Sequence, residues 1–329
     1  MSFNIYSQTK KTQAMMTDDR LIGIFDEGHP GPLVIMIGAI HGNETAGLKA
    51  LDLLLKMLEV EYITNTSFVF KGRLVAIKGN IDAINQSKRY IKKDLNRQFR
   101  EEWIENWSRS TDLQYEEKQA VELVNFIKSM IESYNPTEVF ILDLHTTTAT
   151  GGIFTLVTDD AESIQWGLEL HAPVIEGFLD GISGTVLHYF NTKNLQRPTA
   201  TLCFEAGQHD DVLSVNRAIA AAVNYLSAIG CVERFHIETQ HNKILNQYAK
   251  GLPTHCRLLY NHEIKENDGF KMLPGFKNFD PIVKGQVLAS DHEGDISALS
   301  SGRILMPHYQ EQGEDGFFII EDLSDELIS

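Results

Sequence analysis

Apolar and polar positions follow two different periods along this chain, and the change of period divides it. Leu33–Ile40 is a continuous apolar run rich in β-branched residues. Such a run predicts a strand buried on both faces, as in a parallel sheet. Ala46, Leu48, Ala50, Leu51, Leu53, Leu54, Leu55 and Leu58 then recur at helical spacing. Gly72–Gly79 predicts a second strand, followed by a helical turn at Ile81–Gln86 and a polar loop, Ser87–Arg100. A helix is expected over Glu116–Tyr134, where Val121, Val124, Ile127, Met130 and Ile131 share a face and Asn135-Pro136 ends the pattern. Val139–Leu144, Gly152–Val157 and Thr199–Phe204 predict further strands, and Val215–Ile229 another helix. Strands alternating with helices indicate an α/β fold with a largely parallel sheet. Past about residue 235 the pattern becomes short strand-like runs, such as Thr254–Leu259, Gln286–Ser290, Arg303–Met306 and Gly316–Ile320, between Gly, Pro and Asn-Asp turns. This predicts two domains, 1–236 and 237–329, the second smaller and all-β.

The polar residues at the strand ends carry the candidate chemistry. The first strand runs into His41-Gly-Asn-Glu44, the strand Val139–Leu144 ends at His145, and Thr199–Phe204 ends at Glu205. In open α/β sheets ligands bind beyond the carboxyl ends of strands. Two His and one Glu form the ligand set of several catalytic zinc hydrolases, and three protein ligands leave a coordination position for water. HxxE by itself also fits a helix-start Glu beside a loop His; the strand-end context of all three residues favours a metal site. Asp143, in phase with His145, has two readings: an acceptor that orients a ligating imidazole, or a strand-end carboxylate satisfied by backbone donors. Glu205, half withdrawn from water, suits a general base, and a surface-loop Glu is the other reading. His209, close after it, is the remaining histidine to examine near a pocket.

Arg89-Tyr-Ile-Lys-Lys-Asp-Leu-Asn-Arg-Gln-Phe99 adds cationic donors. Arg97 beside Asn96 suits a substrate carboxylate, and Arg89 suits an oxyanion. The same block also reads as a solvated basic loop in an otherwise acidic chain.

Composition narrows the partners. The 329 residues are 43% hydrophobic and 22% charged, with a net charge of −16. An acidic chain does not match nucleic acid or an anionic membrane. No apolar run is long enough to span a bilayer, and the first twenty residues lack a signal-peptide core. Cys203, Cys231 and Cys256 are odd in number and widely spaced, which favours a reducing compartment over a disulfide framework. A cytoplasmic protein is expected.

The order HGNE, RYIKKDLNRQF, DLHT, FEAG resembles the succinylglutamate desuccinylase/aspartoacylase family of the zinc carboxypeptidase group, over essentially the whole chain. The resemblance implies a carboxypeptidase-like α/β/α domain with a β-rich C-terminal domain. It implies one Zn2+ per chain on His41, Glu44 and His145, Glu205 as the base, and Arg89 polarising the scissile carbonyl. Asn96 and Arg97 then hold the substrate's α-carboxylate, and Asp94 between the motif residues is structural. Tyr309 in the C-terminal segment matches a tyrosine that reaches back to substrate. Family members often carry a further arginine shortly before the base for a second substrate carboxylate; Arg197, eight residues before Glu205, is the candidate here. The expected activity is hydrolysis of the amide of a small N-acyl amino acid, and a homo-oligomer is compatible with it. A zinc carboxypeptidase acting on peptides and a non-catalytic metal-binding interaction protein are the alternatives.

Overall fold

The computed structural model describes residues 19–233 and 240–324. The expected division at 236/237 lies outside the described residues. The strands are β1 (Leu21–Phe25), β2 (His29–Gly38), β3 (Lys71–Lys78), β4 (Val139–Thr147), β5 (Phe154–Leu156), β6 (Val174–Glu176) and β7 (Thr199–Gln208) in the first part. Seven more follow: β8 (His255–Glu263), β9 (Lys271–Met272), β10 (Pro281–Ile282), β11 (Val287–Asp291), β12 (Gly294–Ser297), β13 (Gly302–Leu305) and β14 (Asp315–Asp322). The helices used below are α1 (Ala46–Thr64), α2 (Ile81–Gln86), α3 (Tyr115–Tyr134), α4 (Leu213–Ala228) and α5 (Gln240–Tyr248).

Eleven strands form one mixed sheet, in the order β1-β3-β2-β4-β7-β5-β6-β8-β14-β13-β10. Its centre, β3-β2-β4-β7, is parallel. The strands after β8 are joined antiparallel, and β9, β11 and β12 make a separate three-stranded antiparallel sheet. The apolar run of β2 explains the layering. Val34 and Met36 pack into one core with α1 and α4, while Leu33, Ile35 and Ile37 pack into another with α3. A strand with period-2 side chains and both faces covered must be apolar throughout. α1 buries Ala46, Ala50, Leu51, Leu54, Leu55 and Leu58, a stripe at helical spacing.

The C-terminal region is antiparallel β, as expected, with one correction. Gln240–Tyr248 is a helix, and Leu245 is buried in the first core with Ile244 and Tyr248 against it. Three apolar positions in nine residues are too few to stand out in sequence from the turn-rich stretch around them.

The β2–α1 turn is tightly built. Ala39 sits at φ 59°, and Gly42 donates its N–H to Arg89 O at 3.1 Å. A Cβ on Gly42 would lie 2.2 Å from the Ala83 carbonyl carbon and 2.3 Å from Ile84 N in α2. Both atoms belong to one helix peptide, and backbone has no rotamer to yield. Gly42→Ala is expected to cost about 3 kcal/mol, the upper end of ordinary overpacking, and to displace His41. Denaturant unfolding of the purified variant checks this; wild-type stability would show that the loop moves freely.

Candidate metal and catalytic site

The parallel strands bring the strand-end residues together. Register pairs Gly38 with Leu144 and His145 with Glu205. The turn after β2 therefore stands beside the ends of β4 and β7. Among the described residues, His41, Glu44 and His145 offer ligand atoms that all lie within 4.8 Å of one another, and all three are buried. His41 Nδ1 is 2.8 Å from Glu44 Oε1, and His145 Nδ1 is 3.0 Å from Glu44 Oε2. The far nitrogens are also held: His41 Nε2 lies 3.0 Å from Asp94 Oδ1 and His145 Nε2 lies 2.8 Å from Asp143 Oδ2. Imidazoles with one nitrogen on a carboxylate and the other facing a third ligand are the arrangement a divalent metal selects. This donor set fits such an ion.

Electrostatics follow from crowding in a buried place. Burial by itself would raise the Glu44 carboxyl, but the His41 and His145 imidazoles hold it well below the usual carboxylate range. Burial would lower His145, yet Asp143 and Glu44 keep it well above the usual imidazole value. Glu205 is the opposite case. Burial pushes its carboxyl up to about 8, with His145 pulling against that shift, and its Oε2 is buried without a hydrogen-bond partner. A carboxylate poised near neutrality with an unused oxygen is what proton transfer requires.

Asp94 organises the basic loop. Its Oδ1 also accepts from Asn96 N at 2.8 Å, and its Oδ2 accepts from Arg89 Nε and Nη2 at 3.2 and 3.0 Å. Arg89 Nη1 donates to Glu44 Oε1 at 3.2 Å. These bonds use three of the five N–H groups of the guanidinium. Asn96 Oδ1 accepts from Val186 N at 2.9 Å, which leaves its Nδ2 for a ligand. Arg97 pairs with Asp315 at the start of β14 and donates to Asn96 O at 2.8 Å. The loop is ordered, not solvated, because Glu116 of α3 is buried beneath it. Glu116 Oε1 takes Ile91 N at 2.7 Å, and its Oε2 takes Lys92 N and Lys93 N at 3.1 and 3.2 Å.

His41, Glu44, Arg89, Asn96, Arg97, His145 and Glu205 thus line one cavity, of about 700 Å³ counting the space open to solvent. Two of the sequence-predicted residues do not reach it. Arg197 precedes β7 at the opposite end of the sheet from Glu205, where it donates to Gln196 O and to Asn135 Oδ1. Tyr309 turns its hydroxyl toward the C-terminal region, bonding Phe276 N at 3.0 Å and Leu273 O at 2.9 Å. Its neighbours His308 and Gln310 line the cavity instead. His209 also lines it, with Nδ1 2.7 Å from Thr146 Oγ1; its place four residues after Glu205 was the available signal. Asp315 and the Thr146 N–H, which donates to Glu44 Oε2 at 3.0 Å, gave no signal in sequence. Among the described residues, no helix is long and apolar enough to cross a membrane.

The chain is similar to known proteins in sequence and in fold. Residues 30–218 match the family model described as succinylglutamate desuccinylase/aspartoacylase catalytic domain. A probable aspartoacylase of Trichodesmium erythraeum is 40% identical over 121 residues, 36% of this chain and 36% of that protein. The chain thus matches only about a third of the length of that relative. A succinylglutamate desuccinylase of Photorhabdus laumondii is 26% identical over 280 residues, 79% of this chain and 76% of the relative. The solved structure of a succinylglutamate desuccinylase from Vibrio parahaemolyticus shares the fold. Its TM-score is 0.61 at 18% identity, covering 90% of this chain and 83% of that one.

Proposed function

Since the chain belongs to the succinylglutamate desuccinylase/aspartoacylase family, we propose that it is a zinc-dependent hydrolase cleaving the amide of an N-acyl amino acid. The observation that carries this is the pairing of two features in one cavity: a buried His41–Glu44–His145 ligand set and, beside it, Glu205 with a raised carboxyl and an unpartnered oxygen. Zinc, when bound by those three residues, supplies Lewis-acid activation of water and of the substrate carbonyl.

The chain's own groups do the rest. Glu205 takes the proton of the attacking water and returns it to the departing amine. Arg89, fixed by Asp94, turns its two remaining N–H groups to the oxygen that gains charge during attack. Asn96 Nδ2 and Arg97 orient the substrate through its α-carboxylate. Asp94 and Asp143 keep the ligating imidazoles in place. The unit of function is one chain's cavity with a small substrate, in the cytoplasm.

The test is release of free amino acid from N-acetyl- and N-succinyl-amino acids by the metal-loaded protein, with dipeptides and longer peptides in parallel. Hydrolysis of the N-acyl amino acids is expected, with peptides at least about tenfold poorer. Equal or better cleavage of longer peptides would favour a carboxypeptidase.

A further inference from the structure

The cavity has a second wall that the hydrolytic chemistry leaves unused. Leu156, Phe178, Ile182, Cys203, Met306 and Phe318 line it, and all six belong to a single apolar cluster. The wall begins at the base. Cys203 precedes Glu205 by two residues on β7, so both side chains leave the same face, and β5 sets Leu156 opposite Cys203. It also adjoins the carboxylate clamp. Val186 N holds Asn96 Oδ1, and Gly184 lies so close to Arg97 that a Cβ there would meet Arg97 O at 2.4 Å. The segment carrying Phe178 and Ile182 is therefore stitched to Asn96 and Arg97.

Charge in the cavity points the same way. Its carboxylates include Glu314 and Asp315 as well as Glu44 and Glu205. The two arginines that line it among the described residues are paired, Arg89 with Glu44 and Asp94 and Arg97 with Asp315, and what they leave free is taken by the oxyanion and the α-carboxylate in the reading above. Among the described residues no lysine lines it, Arg197 is elsewhere, and burial lowers His209 and His308 toward the neutral form. A second substrate carboxylate would meet apolar carbon and like charge, and would lose its hydration without a partner.

We propose that this wall is a specificity pocket for an uncharged apolar side chain on the amino-acid half of the substrate. The enzyme then acts on N-acyl derivatives of aliphatic or aromatic amino acids and rejects those of dicarboxylic ones. The inference rests on the amidohydrolase reading above. Side-chain discrimination in such a pocket is expected to reach about 100-fold.

The experiment compares metal-loaded full-length protein on N-acetyl-L-leucine, N-acetyl-L-phenylalanine, N-acetyl-L-aspartate and N-succinyl-L-glutamate, with calorimetric binding of L-leucine and L-aspartate. The apolar substrates should lead in kcat/KM by about 100-fold, and leucine should bind more tightly than aspartate. Ile182→Arg, on a partly exposed loop, should move the leucine-to-aspartate ratio at least about tenfold toward aspartate. Leu156→Ala should lower kcat/KM for the apolar substrates alone. Preference of the wild type for either dicarboxylic substrate overturns the proposal, as does an unchanged ratio in folded Ile182→Arg. If nothing is hydrolysed, the amidohydrolase reading fails, and calorimetry alone decides the pocket: tighter leucine supports it, equal or tighter aspartate overturns it.

Discussion

Glu205→Gln is expected to lower kcat by about 10³-fold, within the range for loss of a positioned general base, while metal content stays at the wild-type level. The amide keeps the shape and volume of the side chain but neither accepts the water's proton nor delivers one to the amine. KM should change little, because the substrate contacts proposed for Asn96 and Arg97 are left in place. The same variant has a second expected effect, in the metal-free protein. The Glu205 carboxyl titrates at about 8 in the fold against an ordinary 4.5. Below 4.5 both folded and unfolded chains keep the proton, and the residue costs no stability. As pH rises from 4.5 to 8 the unfolded chain releases the proton while the folded chain retains it, so stability falls by about 1.4 kcal/mol per pH unit. Glutamine has no proton to lose. Metal-free E205Q should therefore match the wild type near pH 4.5 and exceed it by up to about 3 kcal/mol at pH 7. Steady-state kinetics, metal analysis and thermal unfolding across pH check the set. A variant with wild-type kcat would remove Glu205 from the mechanism.

Loss of metal should abolish activity altogether. A chelator is expected to bring hydrolysis to background, and added Zn2+ to restore it. His145→Ala should bind metal most weakly, because it removes a proposed ligand and leaves the buried Asp143 and Glu44 carboxylates without the imidazole that they share. Asp143→Asn and Asp94→Asn keep all three proposed ligands and alter what holds the imidazoles; Asp94→Asn also alters what holds Arg89. Each is expected to cost about 10- to 100-fold in metal affinity, so the series is graded: wild type, then the two Asn variants, then His145→Ala. Competition with a chromogenic chelator measures this order. His145→Ala binding zinc as tightly as the wild type would place the metal elsewhere. Asp94→Asn should also lower kcat, since it loosens Arg89 as well as His41.

Which residues reach the site depended on different kinds of information. His41, Glu44, His145 and Glu205 were legible because each lies at or just past the carboxyl end of an apolar strand, and a parallel sheet gathers those ends on one edge. Asp143 was left between two readings, and the 2.8 Å contact with His145 decides for the orienting one. The RYIKKDLNRQF block looked like either a clamp or a solvated loop. Four hydrogen bonds to the buried carboxylate of Glu116, from Asn80 and residues 91–93, make it an ordered loop, which removes the solvated reading. Arg197 failed for a reason of length. Between Thr199 and Glu205 the extended strand covers roughly 20 Å, so an arginine before the strand sits at the far edge of the sheet. Tyr309 failed by direction: His308 and Gln310 on either side face the cavity, and the chain turns Tyr309 outward.

By itself, then, the sequence determined the α/β layering and the set of polar residues gathered at the strand ends, since both follow from local periodicity and from where apolar runs stop. Tertiary structure alone decided what surrounds that set. Asp315 meets Arg97 from 218 positions away, and the apolar wall is assembled from β5, β7, β14 and the segments near residues 180 and 306. No local pattern encodes such contacts; they exist only because the C-terminal strands extend the same sheet and fold back over its functional edge.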